Sequence, residues 1–172
     1  GACDHPVPSM GSLGASGDLI PMAHAVAPAV RRVGVRGPRD VISLVNTNAM
    51  MSSCAVEQLL RTRSLLAAAH EITALMTLAL RTPTEHFSAE LFGGSNPRQT
   101  SARESGEDIS ARRRAILSAN NAAEPESFST VQERYSVRCA PLILGNARDL
   151  LSLAESKTLD DALSLADNPV IS

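Results

Sequence analysis

Apolar and polar positions divide the chain into two long helical stretches and several polar segments. Residues 41–81 include neither glycine nor proline, and their apolar side chains recur every three or four positions. This spacing predicts one long helix over that range, in which the Asn-Thr-Asn sequence at 46–48 is a candidate kink. A second apolar run begins at Pro141, a residue that suits a first helical turn, and it predicts a C-terminal helix over 141–165.

The long helix decides the expected architecture. A helix of about forty residues is on the order of 60 Å long, so we expect an elongated helical bundle with long polar loops. Segments rich in glycine, proline and serine predict the loops, over 8–22 and 82–108. Weaker helical patterns predict short helices over 22–33 and 109–119. Together these elements are expected to form a single domain over 1–172.

The composition supports an all-α fold. Hydrophobic residues make up 44% of the chain but aromatic residues only 2%, so the core must be aliphatic, which favours helices over strands. The net charge of −2 predicts neither nucleic acid nor an anionic membrane as a partner. The run Arg112–Arg114 is expected to form a solvated face, with a specific anion site as the alternative.

The sequence matches neither a targeting pattern nor a metal-ligand pattern. No apolar run approaches the ~20 residues that span a bilayer, and the first residues do not resemble a signal peptide. The three cysteines are far apart in the sequence, which predicts free thiols in the reducing cytoplasm. No set of cysteine, histidine and carboxylate residues has the spacing of metal ligands, so no metal is expected.

The sequence GSLGASGDLIPMAH, residues 11–24, places three glycines immediately before a helical pattern. Phosphate binding is disfavoured, because neither the G-x-x-x-x-G-K-[ST] nor the G-x-G-x-x-G spacing is present. Backbone cyclisation is a second possibility. The Gly17 amide nitrogen can attack the Ala15 carbonyl, and loss of water closes a five-membered ring. Loss of a second water, from Ser16, leaves an exocyclic methylidene electrophile, with Asp18 adjacent to help move protons.

Four segments of the chain together resemble the aromatic amino acid lyase and aminomutase family, which includes the histidine, phenylalanine and tyrosine ammonia-lyases. The first is GSLGASGDLIPMAH, and the second is LVNTNAM at 44–50. The third is VQERYSVRCAP at 131–141, and the fourth is ADNPVIS at 166–172. Two departures stand out, since SNPRQT at 95–100 replaces a histidine-proline-glycine-glutamine segment and the Gly-Thr-Gln expected after Asn46 is missing.

The resemblance implies a prosthetic group made from the chain itself. Ala15, Ser16 and Gly17 would form 4-methylidene-imidazole-5-one (MIO), with Asp18 assisting proton transfer. Asn46 would hydrogen-bond to the MIO or to the substrate, although it could also be an ordinary polar interruption of a helix. In such enzymes the substrate amino group adds to the methylidene carbon, a base removes the β-proton, and ammonia leaves; an aminomutase returns the amine to the β-carbon.

The third segment implies the substrate-binding residues. Arg138 would bind the substrate carboxylate, for which a planar guanidinium is well suited. Tyr135 would stand beside the MIO and handle protons, and Gln132 would add a polar contact. The alternatives are structural: Tyr135 as a packed ring with its hydroxyl on a backbone acceptor, and Arg138 as an ion-pair partner of Glu133 or Asp149.

The resemblance also implies an assembly. Enzymes of this family are tetramers with active sites built from several chains, so a homo-oligomer or a complementary subunit is expected. The chain would be a shortened member or a fragment, because the segment that carries the family's lid tyrosine cannot be located in it. An aromatic L-amino acid is the expected substrate, with elimination and 2,3-migration both open. A non-catalytic or partner-dependent helical scaffold is the alternative function.

Overall fold

The computed structural model describes residues 6–12, 17–34, 37–92, 99–128 and 132–164. Within these ranges the chain forms six α-helices and no strand, so the predicted all-α fold class is confirmed. Two short 3₁₀ helices, Thr84–Phe87 and Ala89–Phe92, follow the third α-helix. The α-helices are α1 (Leu19–Val33), α2 (Pro38–Val45), α3 (Ala49–Ala79), α4 (Thr100–Ala119), α5 (Tyr135–Arg138) and α6 (Ala140–Leu163).

The chain divides into two compact units. The first unit comprises the described residues of 1–58 and 155–172, and the second unit comprises those of 59–154. The single domain expected over 1–172 stays a prediction. Among the helices of the described residues, none is both long and apolar enough to cross a membrane.

Helix α1 begins inside the segment that was predicted to be a loop over 8–22. Its first residue is Leu19, and Pro21 lies in the first turn, where a missing backbone N–H costs no helical hydrogen bond. The helix ends at Gly34, which has a φ of +82° and donates its N–H to the Val30 carbonyl at 2.8 Å. Glycine adopts this left-handed conformation without strain, so it suits the end of the helix.

The continuous helix predicted over 41–81 is two helices, α2 and α3, separated by residues 46–48. Asn46 ends α2 by donating its N–H to the Ile42 carbonyl at 2.9 Å, and its ψ of 73° is not helical. The Thr47 side-chain oxygen accepts the N–H of Ala49 at 3.2 Å. Asparagine and threonine compete with helical hydrogen bonds through their own side chains, so this short polar sequence separates the helices rather than only bending one.

The loop predicted over 82–108 is also largely helical. It includes both 3₁₀ helices, and α4 begins at Thr100 instead of at 109. The buried residues of α4 recur at helical spacing but are mostly small or polar, so their side of the helix does not stand out as apolar in the sequence. These residues are Ala102, Ser105, Gly106, Ile109 and Arg113. The C-terminal helix predicted over 141–165 is present as α6, which begins at Ala140 and ends at Leu163.

The second unit has a core of aliphatic and aromatic side chains from several helices. Phe87 and Ile109 are almost completely buried, and Leu80, Ile116 and Leu144 pack against the core. Gly145 of α6 provides a close helix crossing, because a Cβ atom there would lie 2.6 Å from the backbone nitrogen of Ala102. The remaining members of the buried core are Ala74, Val137 and Ala140.

The arginine run in α4 is not a uniformly solvated face. Arg113 is 2% exposed, donates to the Thr82 carbonyl at 2.8 Å and forms an ion pair with Glu124. Arg112 forms an ion pair with Glu71 at 2.9 Å, and its hydrogen bond to that carboxylate raises the pKa of the guanidinium above its ordinary value. Arg114 is exposed. Partners within the second unit therefore occupy the first two arginines of the run.

Replacement of Arg113 by methionine is expected to lower the free energy of unfolding by about 1–3 kcal/mol, because the buried Thr82 carbonyl loses its donor. Chemical denaturation of the two proteins measures the difference. The matched control is Arg114→Met, at the adjacent exposed position, which should stay within about 0.5 kcal/mol of the wild type. Equal losses in the two variants would contradict a specific role for Arg113.

Candidate functional site

The predicted site residues fall into two sets, one in each unit. Gly17, Asp18 and Asn46 belong to the first unit, whereas the predicted substrate-binding residues belong to the second. Ala15 and Ser16 lie outside the described residues, as does the sequence ADNPVIS. The structure brings together the described members of each set.

Gly17 and Asp18 connect the glycine-rich segment to α1. Gly17 has a φ of +79°, a left-handed conformation that favours glycine. Asp18 precedes the helix, and its backbone carbonyl accepts the N–H of Met22 at 3.0 Å. Its carboxylate accepts a hydrogen bond from the Ser12 hydroxyl. Gly17 therefore has a backbone conformation that favours glycine, and the neighbouring carboxylate is held by a hydroxyl of the same segment.

Asn46 lies beside this bend. A Cβ atom built at Gly17 would lie 3.9 Å from Oδ1 of Asn46 and 3.6 Å from the backbone carbonyl oxygen of Thr47. The break between α2 and α3 thus places an amide side chain and a backbone carbonyl next to Gly17. Both interpretations of Asn46 fit this geometry, since it ends α2 and also adjoins the third residue of the predicted ring.

A carboxylate that the sequence interpretation missed supports this break. Asp161 of α6 accepts hydrogen bonds from the side-chain nitrogen of Asn48, at 3.1 Å to each oxygen, and from the Ser52 hydroxyl at 2.6 Å. All three residues line a cavity of ≈ 280 Å³. A negative charge near a helix N-terminus is favourable, so Asp161 stabilises the start of α3. The two partners are 113 positions apart in the sequence, and no local pattern indicates such a contact.

The second set consists of Gln132, Tyr135 and Arg138. The short helix α5 begins with Tyr135. The Arg138 N–H donates to the Arg134 carbonyl at 3.1 Å, and this hydrogen bond fixes the backbone of Arg138. The guanidinium carbon of Arg138 lies 4.5 Å from the centroid of the Tyr135 ring. This cation–π contact holds the guanidinium over the face of the ring.

Gln132 contacts the same guanidinium from another direction. With the amide oxygen facing the guanidinium, it accepts from the two terminal nitrogens of Arg138 at 2.7 and 2.8 Å. This orientation is the one that hydrogen bonding requires, because a guanidinium offers donors only. The Nε–H of Arg138 is buried and has no partner among the described residues.

The structural alternatives for Tyr135 and Arg138 differ from what the structure shows. Tyr135 is 73% exposed, so its ring is not packed in the core. The carboxylate of Glu133 instead accepts the backbone N–H of Arg134 at 2.8 Å, and that of Asp149 accepts from a serine hydroxyl. An exposed phenol and a guanidinium with oriented donors together form a cluster that can bind an anion and carry a proton.

Other reactive side chains in the described residues show no metal site. No group of three or more histidine, cysteine and carboxylate side chains there is placed to hold a metal ion. His70 is buried, and its ring nitrogens contact the Leu66 carbonyl at 2.8 Å and the Ser105 hydroxyl at 3.2 Å. Cys54 and Cys139 are free thiols.

Comparison with protein families gives one match that covers most of the chain. The family model described as "Aromatic amino acid lyase" matches residues 29–172. The match begins after the glycine-rich segment, so it does not depend on the predicted ring-forming residues. It includes Asn46 and all three residues of the second set.

Comparison with curated proteins gives relatives of two activities. A histidine ammonia-lyase of Roseobacter denitrificans is 30% identical over 195 residues, which cover 96% of this chain and 36% of the relative. A histidine ammonia-lyase of Gloeobacter violaceus is 29% identical and covers 97% and 36% of the two chains. A tyrosine 2,3-aminomutase of Myxococcus fulvus is 29% identical and covers 97% and 39%. No solved structure matches the chain.

The chain thus spans little more than a third of the length of these relatives. The stretch matched to the first relative, 195 residues, is longer than the whole chain of 172. The relative therefore has residues inside the matched stretch that this chain lacks. Both observations agree with the shortened member or fragment expected from the sequence.

Proposed function

The chain belongs to the aromatic amino acid lyase family, and on this premise we propose that it provides an ammonia-lyase or 2,3-aminomutase site for an aromatic L-amino acid. The proposed prosthetic group is MIO, formed from Ala15, Ser16 and Gly17. This group would supply a carbon electrophile for the substrate amino group. The roles proposed for the other residues are those that the resemblance implies, and their contacts support them.

The observation that carries the proposal is the position of Asn46 beside Gly17. Ring closure needs a backbone that can bend tightly, and the φ of +79° at Gly17 is a conformation that favours glycine, which has no Cβ to restrict such a bend. Among the described residues, no atom beyond its chain neighbours would lie closer than 3.6 Å to a Cβ at Gly17. The Asn46 amide and the Ser12-bound carboxylate of Asp18 are the groups available to bind the ring and to transfer protons during its formation.

The second set is proposed to bind a substrate carboxylate. Arg138 would hold the substrate carboxylate through its terminal N–H groups, and the face of Tyr135 keeps the guanidinium in one plane. The phenol of Tyr135 is exposed and free to exchange a proton with a bound molecule. A carboxylate held at Arg138 would fix the substrate orientation and so determine which of its protons a nearby base can reach.

Intact-mass measurement on the protein purified as the cell makes it is the first experiment. Ring formation predicts a mass two water molecules below that of the sequence. The same preparation is then incubated with histidine, phenylalanine and tyrosine in turn. Release of an α,β-unsaturated acid indicates a lyase, and appearance of a β-amino acid indicates an aminomutase.

The outcomes separate the proposed function from its alternative. A dehydrated protein with turnover supports the enzyme. A dehydrated protein without turnover supports the non-catalytic or partner-dependent scaffold, and a protein of full mass contradicts the MIO proposal outright.

Exposed apolar side chains support the proposal of an oligomer or a complementary subunit. Leu65 of α3 is 71% exposed and Leu153 of α6 is 57% exposed, and other large aliphatic residues of these helices are exposed as well. Exposed apolar surface favours association. Sedimentation of the same preparation measures the assembly, and a stable folded monomer contradicts it.

The free thiols support the cytoplasm as the proposed location.

A further inference from the structure

Gln132 occupies the part of Arg138 that a ligand carboxylate would use. The amide oxygen lies 2.7 Å from one terminal nitrogen of the guanidinium and 2.8 Å from the other. A carboxylate bound end-on to a guanidinium uses those same two donors. The glutamine oxygen therefore stands where one oxygen of a ligand carboxylate would stand.

The rest of the guanidinium leaves no equivalent position. One face of Arg138 lies against the Tyr135 ring at 4.5 Å, and the Nε–H is buried away from solvent. The edge that includes Nε is thus closed to an approaching anion. The end covered by Gln132 is the accessible one, because Gln132 itself is exposed.

Gln132 is also placed to move. It precedes α5 in an irregular segment, so no helical backbone fixes its position. An amide oxygen is a neutral acceptor, whereas a carboxylate is charged and forms the stronger hydrogen bonds to a guanidinium. A carboxylate ligand can therefore replace the amide, while water alone competes less well.

We propose that Gln132 is a positioning residue that covers Arg138 in the absence of ligand and must swing away when a carboxylate binds. This inference rests on the proposed function, in which Arg138 binds the substrate carboxylate. It assigns to Gln132 an effect on affinity that opposes binding, instead of the polar contact to substrate expected from the sequence.

Binding of cinnamate, an aromatic carboxylate without an amino group, tests the inference by equilibrium dialysis. In Gln132→Leu the acceptor is absent, and we expect the dissociation constant to fall roughly tenfold. In Gln132→Glu a permanent charge competes for Arg138, and the dissociation constant should rise roughly tenfold or more. The matched control is Gln99→Leu, a glutamine elsewhere in the second unit, which should leave binding unchanged.

Arg138→Met separates this inference from the function on which it rests. If cinnamate binds equally to the wild type and to Arg138→Met, or to neither, the proposed role of Arg138 fails. If Arg138→Met abolishes binding but both Gln132 variants bind like the wild type, only the inference about Gln132 fails. Weaker binding by Gln132→Leu also overturns it, since that result means that the amide supports Arg138 in its binding position.

Discussion

Turnover of an aromatic amino acid should fall by several orders of magnitude when Ser16 is replaced by alanine. The Ser16 hydroxyl is the group that would leave as the second water, and its loss creates the methylidene carbon. Alanine has no leaving group at that position, so the electrophile cannot form and the substrate amine has no carbon to attack. Intact mass and release of unsaturated acid are measured on the same sample. The mass should show the loss of one water at most.

Ser12→Ala is the matched control for this variant. Ser12 lies in the same glycine-rich segment and donates to the Asp18 carboxylate, but it contributes no atom to the proposed ring. This variant should still lose two waters, and comparison of its maturation rate with the wild type shows what Asp18 gains from the hydroxyl. Undiminished turnover by Ser16→Ala would remove the basis for assigning MIO chemistry to this chain.

The sequence predicts the fold class because composition limits it directly. A chain with so few aromatic residues and long stretches without glycine or proline has few alternatives to helices. The break at 46–48 was visible only as a candidate kink, since whether polar side chains end a helix depends on distant partners. Here Asp161, far along the chain, accepts hydrogen bonds from Asn48 and Ser52 and stabilises a new helix start.

Helix α4 shows why a loop prediction can be wrong for a buried helix. Its buried side includes Ser105 and Gly106, and Gly106 is in close contact with Phe87. Small residues are needed there because the backbone of a neighbouring segment approaches closely. A pattern of apolar and polar residues does not indicate this need for small side chains. A helix of this kind has the composition of a loop, and its spacing becomes informative only when the packing partner is known.

The sequence proposes members of the candidate site but does not indicate the contacts among them. Motif resemblance names Gln132, Tyr135 and Arg138, and the structure places them in mutual contact through one guanidinium. The resemblance did not indicate that Gln132 faces the arginine, because side-chain direction in an irregular segment depends on local backbone angles. Likewise, the proximity of Asn46 to Gly17 follows from the helix break, which the sequence left undecided.

Replacement of Gly145 by alanine is expected to lower the free energy of unfolding by about 2 kcal/mol, and replacement by valine by more. A Cβ at this position would lie 2.6 Å from the carbonyl carbon of Ser101 and from the nitrogen of Ala102. Both atoms belong to the backbone of α4, so they cannot rotate aside as a flexible side chain could. Alanine gains about 1 kcal/mol of helix propensity over glycine, but relief of the contact requires the two helices to separate.

Alanine substitutions at two other glycines provide comparisons for this expectation. At Gly106 a Cβ would lie 3.0 Å from the Phe87 carbonyl oxygen, so Gly106→Ala should cost less than Gly145→Ala. At Gly37, which immediately precedes α2, no atom of the described residues would lie within 4 Å of a Cβ, and the φ of −178° is open to any residue, so alanine should be tolerated. Denaturant midpoints of the three variants should follow this order. A Gly145→Ala protein as stable as the wild type would mean that α4 and α6 do not cross at this distance, and the buried core beside them would then need a different arrangement.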